Sequence, residues 1–180
     1  MFKLISKTIA AVAIVSVALF GSANAKTLKI ETHFTASSPN GEVAAQFAKN
    51  VEMFSGGSLK VEMFYSSSVT GKSAEVFNSA QTGIIDCDMT GAGYQTGKNA
   101  AFQFAGDVMG GYDNPYQQYE FLNFPGAQEA VDALYNKYGM TLIGWWIPGH
   151  ESLISSRPIP DVASLKDFKF RSPPGMESMI

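Results

Sequence analysis

Apolar and polar residues alternate strictly along Leu28-Lys29-Ile30-Glu31-Thr32-His33-Phe34, the two-residue period of a half-buried strand. Ser38-Pro39 follows, an N-cap residue ahead of a proline suited to a first helical position. Val43, Ala44, Phe47, Ala48, Val51 and Phe54 then recur at helical spacing until Gly56-Gly57 stops them. Alternation returns from Leu59 to Tyr65, which predicts a second strand. Ala74, Val76, Phe77 and Ala80 predict a second helix ended by Gly83, and Ile84 to Met89 a third strand. Beyond a glycine-rich loop, Ala101 to Gly111 is rich in Phe, Gly and Met and suits a cover over the core. Asn114-Pro115 opens a helix through Leu122, and Pro125-Gly126 breaks it. Ala130, Val131, Leu134 and Tyr138 mark another helix closed by Gly139. Met140 to Trp146 is continuously apolar and predicts a buried strand.

Strand–helix–strand–helix–strand with short connections predicts an α/β fold with a mostly parallel sheet flanked by helices. Ligands on such sheets sit beyond the carboxyl ends of the strands, here the loops after Phe34, Tyr65 and Met89. The loop from Thr90 to Lys98 is glycine-rich, but its G-x-G-x-x-x-G spacing is not that of a dinucleotide fingerprint. It also lacks the Ser/Thr of a phosphate loop after Gly97-Lys98. It reads instead as a flexible loop exposing Tyr94 and Gln95 to a cleft. His33 lies at the end of strand one, where a ligand contact and a plain surface position fit equally. Trp145 and Trp146 face opposite ways on a strand, and Trp146 is the one assigned to the cleft wall.

After Trp146 the composition shifts. Pro148-Gly149-His150 suits a crossing point, Glu151 to Ser156 a weak strand, Arg157-Pro158-Ile159-Pro160 a rigid connector and Asp161 to Lys166 a short helix or turn. Phe168 and Phe170 alternate with Lys169 and Arg171, and Pro173-Pro174 ends that strand abruptly. Gly175 then allows a turn into what reads as a new helix. An arginine at a strand end beside fresh helix N–H groups would attract an anion, because its fork matches a carboxylate in two-pronged fashion.

The first 25 residues carry Lys3 and Lys7, the apolar run Ile9 to Phe20 and a small-x-small Ala23-Asn24-Ala25, a cleavable secretory leader. Its loss would remove two lysines and no acid, moving the formal charge from −3 to −5. A mildly acidic exported protein is a poor partner for nucleic acid or an anionic membrane. Cys87 is the single cysteine, so no intramolecular disulfide forms, and its apolar neighbours suggest a buried thiol. The chain ends at Ile180 just as a helix begins, as an incomplete chain would. An exported α/β hydrolase-like enzyme acting on a small organic acid is the rival class. The sequence lacks the G-x-S-x-G and H-E-x-x-H motifs that it would call for.

Several of these features together resemble the solute-binding receptors of tripartite ATP-independent periplasmic (TRAP) transporters, the DctP family. They are the leader, strand one with Ser38-Pro39-Asn40, Tyr94-Gln95-Thr96-Gly97-Lys98-Asn99-Ala100-Ala101-Phe102, Gly144-Trp145-Trp146, and Phe168 through Arg171 to Met176. The last most resembles the branch that binds 2-oxo acids and related organic anions. The resemblance implies a periplasmic-binding-protein-like two-lobe fold, with residues 26–148 as the first lobe and 149–180 as the crossover and start of an incomplete second lobe. It implies that Arg171 clamps the ligand carboxylate and that Tyr94 lines the cleft. It further implies delivery of the solute to a membrane permease, and a location in the periplasm. His150 stands where the branch has a glutamine touching both ligand and cation. That makes His150 a candidate ligand contact and metal ligand, with sodium or calcium as the cation. A homodimer is left open. The expected ligand contacts are thus Arg171, His150, Tyr94, His33, Gln95 and Trp146.

Overall fold

The computed structural model describes residues 25–106, 108, 110–147, 152, 154–169 and 171–172. The expected leader (Ala25 apart), His150 and the helix after Gly175 lie outside the described residues. Three strands, β1 (Lys26–Thr32), β2 (Leu59–Phe64) and β3 (Cys87–Met89), form a parallel sheet in the order β2-β1-β3. A parallel pair needs a crossover. Helix α1 (Pro39–Phe54) supplies the first, and a 3-10 turn at Ser73–Glu75 leading into α2 (Val76–Gln81) the second. Helices α3 (Pro115–Asn123) and α4 (Pro125–Asn136) follow. This is the expected α/β architecture.

The ends of α1 have local causes. Ser38 is extended, and its hydroxyl oxygen accepts from the Gly41 N–H at 3.1 Å, while Pro39 occupies the first turn. At the other end Gly56 and Gly57 take φ of +60° and +80°, which glycine adopts without a Cβ penalty. The buried stripe is Gly41, Ala44 and Ala48. Val43 and Phe54, expected in the apolar stripe, are exposed. The helix thus meets the sheet through its smallest residues. Glu52 fastens its last turn to β2, accepting from the Val61 N–H at 2.9 Å and pairing with Lys60.

The principal core cluster lies beside the sheet. Phe77, Ala92, Phe102, Ala105, Val131 and Leu134 are buried together, with Tyr135, Tyr138, Met140, Leu142 and Trp145 packed around them. The rings meet edge to face: Phe77 and Phe102 at 5.8 Å and 78°, Phe102 and Tyr135 at 5.2 Å and 81°. The expectation that the segment after Ala101 covers the core holds at Phe102 and Ala105, both on a 3-10 turn.

Four expected strands differ. The third begins at Cys87 and not at Ile84, because the Ile84 and Ile85 N–H groups both donate to the Ser79 carbonyl and close α2. Met140 to Trp146 joins no ladder among the described residues. The Met140 N–H donates to the Tyr135 carbonyl and the Leu142 N–H to the Asp132 carboxylate at 3.0 Å, so α4 takes the groups a strand partner would use. Ile143 is 71 % exposed, against the expected burial. The described parts of Glu151–Ser156 and Phe168–Arg171 are also irregular. The turn expected after Asp161 is present at Val162–Leu165, capped by the Asp161 carboxylate on the Ser164 N–H.

Candidate functional site

Along β1 and past the carboxyl ends of β1 and β3 runs a partly open cavity of about 1050 Å³. The strands bring His33, Phe34 and Asp88 to its wall. The loop after β3 brings Thr90 and Tyr94, and the last described residues bring Trp146 and Arg171. Four of the six expected ligand contacts therefore border one space: His33, Tyr94, Trp146 and Arg171.

Aromatic contacts hold this wall together. The His33 ring lies 3.9 Å from Phe34 and meets Tyr94 edge-on at 5.5 Å. Phe34 in turn packs on Trp146 at 5.3 Å. Nδ1 of His33 is buried and has no hydrogen-bond partner, and burial holds the imidazole below its ordinary value, so the neutral ring is favoured. Such a ring can give or take one hydrogen bond in the cavity. Tyr94 belongs to a 3-10 turn at Ala92–Gln95, so the expected flexible loop is an ordered turn here. Arg171 is exposed and borders the cavity, with no ion pair among the described residues. Neither a strand end nor a helix N-terminus beside it is described.

Gln95 is a correction. It is 2 % exposed and absent from the cavity wall, and its amide Nε2 donates to the Ala74 carbonyl at 3.4 Å. Its turn directs it into the fold and Tyr94 into the cleft. His150, the candidate metal ligand, lies outside the described residues. Among the described residues no group of three or more His, Cys, Asp or Glu could hold a metal.

At and behind the wall, around Asp88, lies a feature that the sequence reading missed. Glu31 and Asp88 are partners in register on β1 and β3, so their side chains leave the same face of the sheet. Glu31 is fully buried. Its Oε1 accepts from the Val69 N–H at 2.7 Å and more weakly from Thr70 at 3.3 Å, while Oε2 has no partner. Oδ1 of Asp88 and Oγ1 of Thr90 are buried and unpartnered too. Burial pushes the Asp88 carboxyl up to about 6, against the opposing pull of the Thr90 side chain and backbone, while the Glu31 charge adds the smallest contribution. Cys87, next to it, is half-buried, and burial with Asp86 and Asp88 raises its thiol. The sequence offered only an acidic residue in each of two predicted strands; their pairing needed the register.

Comparison with known proteins bears on this arrangement. The model of the family described as bacterial extracellular solute-binding protein, family 7 (DctP) matches residues 30–180. The solved structures include a TRAP periplasmic solute-binding protein of Rhodobacter sphaeroides in an apo open state, 26% identical with a TM-score of 0.61, covering 66% of this chain and 37% of that one. A second, from Pseudoalteromonas atlantica with bound sodium and pyruvate, is 20% identical with a TM-score of 0.59, covering 64% and 35%. A third, a Bordetella pertussis extracytoplasmic solute receptor binding pyroglutamic acid, is 21% identical with a TM-score of 0.55, covering 66% and 38%. The chain thus spans little more than a third of the length of these structures. No curated protein matches it.

Proposed function

Because this chain belongs to the bacterial extracellular solute-binding protein family 7 (DctP), whose solved relatives are solute receptors and not enzymes, we propose that it serves as the ligand-capturing part of a periplasmic TRAP receptor. The solute is a small carboxylate, a 2-oxo acid or related organic anion. Residues 26–148 act as the first lobe and 149–180 as the crossover into the second. The ligand favours a closed state in which the lobes exclude water, and the receptor hands it to a membrane permease.

One observation carries this reading: Arg171, far along the chain, borders the same cavity as His33, Tyr94 and Trp146. A carboxylate sealed in an aromatic-walled cavity needs a partner for its charge, and the guanidinium fork supplies it. The unpartnered Nδ1 of the neutral His33 ring suits a second polar group on the ligand. A sodium or calcium ion held in part by His150 is proposed to accompany the anion. The Pseudoalteromonas atlantica protein, with sodium beside pyruvate, supports a cation in this setting.

Thermal-shift titration with pyruvate, with and without sodium and calcium, tests the assignment. Stabilisation by pyruvate should vanish in Arg171→Ala, a loss of about 3–5 kcal/mol if the clamped charge is left unpaired. Unchanged stabilisation in that variant refutes the clamp. Turnover of the acid during incubation would instead favour a hydrolase-like enzyme.

A further inference from the structure

Glu31, buried behind the cavity wall, and half-buried Asp88 on that wall must settle their charge. Two negative groups sheltered from water cost heavily unless a cation or a proton offsets one of them. Among the described residues neither Glu31 nor Asp88 makes an ion pair. The groups around them offer no permanent positive charge at contact. From β1 comes His33, held neutral by burial. From α4 comes Tyr135, whose phenol is raised by burial and by the Asp88 charge. The loop after β2 gives only the Val69 and Thr70 N–H groups, both taken by Glu31 Oε1. The loop after β3 gives Thr90 and Tyr94, and Arg171 borders the cavity from the far end of the chain. What remains is one orphaned oxygen on each acid, Glu31 Oε2 and Asp88 Oδ1, on side chains that share one face of the sheet, with the Thr90 hydroxyl, also unpartnered, beside Asp88.

We propose that Asp88 meets the cavity as a carboxylic acid whose proton is directed at the orphaned Glu31 oxygen beside it, and that anion capture is coupled to that proton. A single O–H donated from Asp88 towards Glu31 satisfies both orphaned oxygens at once. The coupling rests on the anion-receptor reading given above. An anion in the cavity repels a second negative charge on its wall, so it holds the proton on Asp88 more firmly. By linkage, the proton must then strengthen anion binding to the same extent. Affinity is therefore highest while the pair is singly charged and declines once Asp88 ionises. The change is at most about tenfold per pH unit for one coupled proton.

Carbon-13 NMR of the side-chain carboxyls in the full chain reads the proton directly, without ligand. Asp88 should titrate well above the ordinary aspartate range, and its resonance should be missing from Asp88→Asn. A midpoint for Asp88 in the ordinary range overturns the protonated Asp88. Calorimetry with pyruvate from pH 5 to pH 8, in buffers of different ionisation heats, reads the coupling. Affinity should fall several-fold across that range with net proton uptake on binding, and Asp88→Asn should flatten that dependence. Binding indifferent to pH overturns the coupling. No pyruvate binding at any pH would sink the receptor reading and the coupling with it, while the Asp88 proton stands or falls by its own titration.

Discussion

Two residues on the cavity wall pull the stability of the chain in opposite directions as pH changes. The folded state raises Asp88 from an ordinary 3.8 to about 6, so inside that window the folded chain keeps a proton that the unfolded chain has lost. The stability that Asp88 lends falls as pH rises through the window and stays low above it. Asp88→Asn should raise the midpoint of thermal unfolding at pH 7, by up to about 3 kcal/mol in free energy, and change little at pH 4. His33 works the other way. Its folded value lies below 6.5, so its contribution is whole above 6.5 and drains away as pH falls. His33→Gln should flatten the acid side of the stability curve, and unfolding scans of both variants across pH would check the two signs together. Neither residue would have been weighted this way from composition. The buried pair emerges only when register sets two strands side by side.

Among the elements, the join between α1 and the sheet is the most exacting. A Cβ at Gly41 would collide with the Thr35 carbonyl oxygen, which is backbone and cannot swing aside. Gly41→Ala should therefore destabilise the fold by about 2 kcal/mol or more, read by denaturant unfolding. Ser38→Ala, which removes the cap but leaves the packing, should cost about 1 kcal/mol. The loop after β2 is tight for another reason. Ser66 and Ser67 take φ of +57° and +51°, and their N–H groups latch onto the Phe34 and Thr32 carbonyls at the end of β1. These elements also show how far the chain could be read unaided. Period-two and helical spacing marked β1, α1, β2 and α2 because each has one sheltered side, and Ser38, Pro39 and Gly83 marked their ends. The same rule failed at Met140–Trp146, where an apolar run gives no clue that Asp132 and Tyr135 will claim its N–H groups. It failed at Gln95, because a polar residue in a glycine loop reads as exposed until a backbone carbonyl is found opposite it. Tyr94, His33 and Trp146 were legible because they follow strand ends or a run of aromatics.

At the scale of the whole molecule, the cavity draws its wall from β1, from the loop after β3 and from the last described residues of a chain that spans about a third of its solved relatives. In the proposed receptor, closure over a ligand calls for a second lobe. The 180-residue chain should bind pyruvate more weakly than one extended through that lobe, and calorimetry on both would show it; equal affinities would contradict the two-lobe trap. The ring contacts carry a practical consequence. Tyr135 and Tyr138 are set in the core against Phe77 and Phe102, whereas Trp146 leans on Phe34 at the cavity. The molecule thus keeps two optical reporters: near-ultraviolet dichroism draws on Tyr138 in the interior as well as on cavity-lining Tyr94 and Tyr135, whereas Trp146 fluorescence follows the mouth alone. In a Trp145→Phe background, with a single indole left, fluorescence reads the Trp146 side of the cavity without a signal from the core.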